Sequence, residues 1–268
     1  MNKERSCKFD SIIHRFTAIC LGYIAITLPA VAANPAADLA AALAAKQEGS
    51  SFVRVRMEIG GGDQQTLQLQ IKSRVSRASA DIVYQILFPK ERKGTAVLLH
   101  RSGDRINGIF FTPPNAVRQI AAGKVTESLF GSDLSYEDII DNPFVWDQQA
   151  IVGADSINGT ACKILESKPG KSHTSSYSSV RTWVDPRRFV PIRIEKYDAS
   201  GKVLRRINTT RILLDGGDSI PANLSIQGPR GTTTEIDGSR IKRGVNYAEI
   251  EFTPDGLKQL STPPDPSQ

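Results

Sequence analysis

The chain has 268 residues, 40% hydrophobic and 23% charged, with a formal net charge of +6. These proportions are ordinary for a soluble globular protein and allow one or two domains with a sizeable core. Only three cysteines are present, so the core, not a set of disulfide staples, must hold the fold.

Residues 1–32 read as a secretory signal peptide. Lys3, Arg5, Lys8 and Arg15 make a basic beginning, Phe16–Leu28 is a mostly apolar run, and Ala30-Val31-Ala32 is an A-x-A cleavage pattern. The run is shorter than the roughly 20 residues a membrane span requires. Thr17-Ala18-Ile19-Cys20 is a poor lipobox, with bulky Ile19 where a small residue is wanted. Cleavage after Ala32 removes four basic and two acidic residues, taking the net charge from +6 to +4 and leaving Cys162 alone. The expected location is the periplasm.

Ala36–Lys46 is Ala-rich and free of glycine, which predicts a helix with a weak apolar stripe through Leu39 and Leu43. The pattern then changes to period two. Residues 52–59 and 67–75 predict two amphipathic strands around a Gly60–Asp63 turn. Asp81–Phe88 is apolar on both faces apart from Gln85, which predicts a central strand, and strands at 95–100 and 105–111 continue the meander. Residues 113–143 predict a helical insert with two pieces, Asn115–Ala122 and the stretch around Tyr136. In the second, Ser135 and Asp138 have capping-box spacing, and Asn142-Pro143 ends the helix. Sheet resumes at Trp146, with an Asn158-Gly159 hairpin turn, strands near 177–184, 190–197, 203–213, 223–227 and 232–243, and a short helix near Pro254. Ten or eleven strands against three or four short helices are expected, and residues 261–268 read as a frayed tail.

The predicted class is mainly β: a large antiparallel sheet that can close as a barrel, stack as a sandwich or curl around a cavity, with the family resemblance described below implying a curved, incomplete barrel covered by short helices. Such a sheet has one apolar face to hide. Val53, Val55, Met57, Leu67, Leu69, Ile71, Ile82 and Ile86 fall on it and are candidates for an acyl-chain cavity. Leu129, Phe130, Leu134, Tyr136 and Ile139 of the insert are the candidate lid.

Catalytic chemistry finds little support. After the leader only His100 and His173 remain, neither in metal-ligand spacing, and no phosphate loop or nucleophile elbow occurs. Cys162 lies in a strand pattern and reads as a structural thiol. The acids Asp133, Glu137, Asp138 and Asp141 lack calcium-loop spacing and read as helix caps and a solvated face. Arg187, Arg188, Arg193, Arg205 and Arg206 read as a basic outer patch suited to anionic headgroups or an acidic partner. Nucleic acid is not expected without an aromatic platform. No metal or cofactor is expected, and the protein is expected to be a monomer.

Phe130-Gly-Ser-Asp-Leu-Ser-Tyr-Glu-Asp138 resembles the central motif of the outer membrane lipoprotein-sorting family, the LolA/LolB-like periplasmic carriers. The helix running into Ser50-Ser51-Phe52, the Thr182–Pro186 segment, Pro191–Asp198 and Gly201-Lys202 resemble that family's opening and late hairpin. The resemblance implies a half-barrel carrier that binds lipid or lipoprotein acyl chains under a helical lid, working with an inner-membrane transporter and an outer-membrane acceptor. It also implies an arginine that holds the lid, with Arg54, Arg56 and Arg74 as candidates. The alternative is an exported scaffold, or an accessory of a resistance–nodulation–division transporter, with a filled core.

Overall fold

A computed structural model describes residues 34–60 and 64–259. The expected leader, most of the first hairpin turn and the expected tail lie outside the described residues. Helix α1 (Pro35–Gln47) starts where the Asn34 side chain accepts from the amides of Ala36 and Ala37, with proline at its first position. It leads into β1 (Gly49–Ile59), β2 (Gln65–Val75), β3 (Ser79–Phe88), β4 (Ala96–Ser102), β5 (Arg105–Thr112) and β6 (Ala116–Ile120). The chain then crosses through residues 121–147, which contain α2 (Tyr136–Ile140). It returns as β7 (Gln148–Ile157), β8 (Thr160–Lys168), β9 (Ser179–Asp185), β10 (Val190–Tyr197), β11 (Val203–Asp215), β12 (Asp218–Gln227) and β13 (Thr233–Arg243), and ends in α3 (Pro254–Leu257).

All thirteen strands described form one antiparallel sheet in the order β6-β5-β4-β3-β2-β1-β13-β12-β11-β10-β9-β8-β7. It is an unclosed, curled half-barrel, as the resemblance implies. Two meanders thus join at the β1–β13 pair, where Ser51 faces Arg243, and β6 and β7 are the free edges. The crossover from β6 to β7 must span the whole sheet, and it does so over the inner face, which explains why it carries apolar residues.

Two expectations needed correction. Asn115–Ala122, read as helical, holds β6, which pairs with β5 from Gly108↔Ile120 to Thr112↔Ala116. Helix propensity lost to edge pairing and to the burial of Ile120. The second concerns Gln70 and Lys72, on the polar side of an amphipathic strand; Gln85 lies on the strand already expected to be central. All three are buried, because residues 247–257 lie across the outer face of β2–β5. There Phe252, Leu257 and Tyr247 pack against Val83, Leu98, Ile109 and Phe111. The Gln70 amide donates to Gln85 (2.9 Å), Gln85 donates to the Leu257 carbonyl (2.9 Å), and Lys72 pairs with Glu251 (2.7 Å).

Candidate functional site

The inner face and the crossover meet in one apolar cluster. Val55, Met57, Leu67, Leu69, Ile82 and Ile86 are buried there, with Val53 and Ile71 packed against them. From the crossover come Leu129, Phe130, Leu134, Tyr136 and Ile140, with Ile139 at the margin. The structure therefore brings together all eight sheet candidates and all five lid candidates. Phe130 and Gly131 have positive φ (54° and 90°). This left-handed pair folds the chain back and places the Phe130 ring edge-on to Phe110, centroids 6.2 Å apart. A bulky residue seldom adopts that backbone, so the burial of the ring must offset the strain.

The polar residues of Phe130–Asp138 are all committed. Ser135 and Asp138 form the expected capping box: the Ser135 hydroxyl accepts from the Asp138 amide and the Asp138 carboxylate accepts from the Ser135 amide. The same carboxylate is fully buried between Lys196 of β10 (2.8 Å) and Arg205 of β11. Tyr177 accepts from Arg205 and donates to Asp138 (2.8 Å). Burial pushes the Asp138 pKa up, but Lys196 and Arg205 outweigh it and hold the carboxyl below its usual range. Burial, with Asp138 alongside, raises the Tyr177 hydroxyl. Glu137 accepts from the Ser175 hydroxyl (2.6 Å) and the Ser176 amide (2.8 Å). Asp133 accepts from Thr232 (2.6 Å) and Thr234 (2.8 Å), and Arg230 donates to the carbonyls of Gly131 and Ser132 (2.9 Å each). Gly228 makes this possible, because a Cβ there would lie 2.6 Å from the Asp133 carboxylate. The acids read as a solvated face are instead buried anchors.

Arg205 is likewise corrected from the outer patch to the interior. Arg187 and Arg188 do lie exposed in the turn after β9. Arg193 lies over the Trp183 ring and bonds Asn208, and Arg206 pairs with Glu195. Two of the three arginines named from the sequence are bound elsewhere, whereas Arg205 and Arg230 bond the crossover. Arg74 pairs with Asp81 and Glu249, and Arg56 with Glu58. The signal for Arg205 and Lys196 was their phase. Lys196 follows Ile194 by two and Arg205 precedes Ile207 by two, so both point with the apolar residues. They also face each other directly across β10–β11. Two like charges so placed repel unless an anion sits between them, and Asp138 does.

Among the described residues no group of His, Cys, Asp and Glu is placed to hold a metal, and no helix is long and apolar enough to cross a membrane. Cys162 is buried, and burial raises its thiol pKa.

A curled, unclosed antiparallel sheet with its inner face crossed by a helical connection defines a LolA-like half-barrel, and solved structures agree. A DUF1329 family protein from Desulfovibrio piger aligns with TM-score 0.76 and 23% identity, over 83% of this chain and 97% of its own. A domain described as an outer membrane lipoprotein-sorting protein from Vibrio parahaemolyticus gives 0.75 and 20%, over 84% and 98%. A LolA superfamily protein from Nitrosomonas europaea gives 0.66 and 20%, over 82% and 98%. A family model described as "Uncharacterized protein" matches residues 79–259, more than half of the chain, and the chain belongs to that family. No curated protein matches the sequence.

Proposed function

We propose that the protein is a non-enzymatic periplasmic carrier. The inner face around Leu69 and Ile71 binds lipid or lipoprotein acyl chains, the 121–147 crossover is the lid, and cargo passes from an inner-membrane donor toward the outer membrane. The convergence of the sheet and lid candidates in one apolar cluster carries this reading. The energetics are compatible with it. Withdrawing five buried lid side chains costs about 10 kcal/mol at roughly 2 kcal/mol each. An acyl chain of about sixteen carbons returns about 12 kcal/mol at ~0.8 kcal/mol per CH₂. One chain therefore offsets lid withdrawal, and a much shorter one does not.

The near-complete burial of Met57, Leu67, Ile86 and Leu129 favours a second reading, an exported scaffold whose inner face is permanently filled. Native mass spectrometry of protein purified from envelope fractions without detergent, followed by titration with a fluorescent fatty acid, separates them. A carrier brings a stoichiometric lipid or binds the probe saturably, and Leu69→Glu or Ile71→Glu abolishes retention in folded protein. A scaffold yields a clean mass and no saturable binding. Retention that survives both substitutions removes the proposed site.

A further inference from the structure

The two free edges of the sheet are unlike. β6 has five residues, is preceded by Pro113-Pro114 and carries Arg118, the features that discourage strand addition. β7 has ten residues and no Lys, Arg or Pro, and its only charge is Asp155. Residues 152–156 are exposed in sequence, with Val152 at 47%. Among the described residues its one strand partner is β8, with a register shift between Ile151 and Gly153, so no described strand pairs with its outer row of backbone groups.

Beside this edge runs a groove of about 700 Å³. One wall is the small-residue face of α1, with Ala37, Ala41 and Ala45, and the other includes Gln148 and Ala150 at the start of β7. Phe144 and Trp146 also line it, and they follow α2 by only a few residues. The groove therefore begins where the lid ends. Both signs of charge line it, Arg77 and Lys168 with Glu48, Asp147 and Glu166.

We infer that β7 is a strand-addition site for the extended, uncharged polypeptide segment that follows an acylated N-terminus. The inference rests on the carrier reading and narrows its cargo from free lipid to acylated protein. Main-chain bonding to an edge strand needs no particular sequence, and a wall of alanines offers no charge and no deep side-chain pocket that would select one. A chain tethered to an acyl group beneath the crossover leaves the lid at this groove and meets the open edge. A lining that carries both signs suits a linker without a run of one charge.

The test compares palmitic acid with an N-palmitoylated peptide of roughly ten serine, glycine and alanine residues, using hydrogen exchange of the β7 amides and direct titration. The acylated peptide is expected to bind about tenfold more tightly than palmitic acid and to slow exchange at outward-facing amides within 148–156, which palmitic acid leaves unchanged. Ala41→Trp, filling the groove from an exposed helix position, and Val152→Lys, placing a charge on the edge, should each remove that advantage and leave palmitic acid affinity unchanged. Equal affinities with unaltered β7 exchange would overturn the inference while sparing the carrier reading. So would peptide binding untouched by both substitutions. If neither ligand binds, the carrier reading fails and takes this one with it.

Discussion

At the scale of the residue, Asp138 is the most consequential side chain. It lies between two buried cations and a tyrosine, so removing its charge leaves Lys196 and Arg205 facing each other uncompensated. Asp138→Asn should lower stability by about 3–5 kcal/mol, measured by urea denaturation at neutral pH. Its pKa is depressed in the folded protein, so the unfolded chain takes up the proton first as pH falls. The stabilisation is therefore present above the ordinary carboxylate range and is lost as pH drops through the folded value. Asp138→Asn should flatten the acid limb of the stability profile. Asp141 behaves in the opposite sense, since burial raises its pKa. Its charge opposes folding at neutral pH, so Asp141→Asn, still able to accept from Trp146, should raise Tm there. The sequence displayed the capping box openly, because its spacing is local. It hid the clamp, because the partners lie 58 and 67 residues further along, and only their phase with Ile194 and Ile207 marked them as inward.

At the scale of the element, the crossover is attached unevenly. Its polar anchors run to residues 175–177, β10, β11 and the β12–β13 hairpin. Its contacts with β1–β5 are mainly with the apolar cluster, beside the attraction of Arg101 to Asp141 and the Arg92 guanidinium over the Phe130 ring. Apolar contacts can be exchanged for an acyl chain at little net cost, whereas separating Asp138 from its cations leaves charges buried and unpaired. Opening should therefore part the crossover from β1–β5 and leave it riding on β10–β13. A disulfide in Asp133→Cys/Thr232→Cys should leave fatty-acid binding intact. One in Phe110→Cys/Phe130→Cys should block it until reduced. Equal effects of the two cross-links, read by probe titration with and without dithiothreitol, would show that the lid has no preferred side. The crossover's apolar face was legible in Leu129, Phe130, Leu134 and Tyr136. The identity of β6 was not, because an edge strand of Ala, Val, Arg, Gln and Ile has little pattern of its own until Ile120 finds the cluster.

At the scale of the whole molecule, the sheet works with two faces. The inner one meets the crossover and α1, and the outer one is strapped over β2–β5 by residues 247–257. Leu257, buried in the outer cluster, should cost about 2–4 kcal/mol when replaced by Ala, with probe affinity unchanged. An equal loss of affinity would mean that the faces communicate. Alternation revealed the strands and the inner face, and the two apolar faces of residues 81–88 pointed to a covered strand, but nothing in the phase of Gln70 or Lys72 announced that a distant segment would cover them. The β1–β13 seam has a kinetic consequence. One whole side of the first strand waits for a partner nearly two hundred residues later, a pairing with heavy loop-closure entropy. The barrel wall is therefore completed last at its centre, after the local hairpins of both meanders have paired.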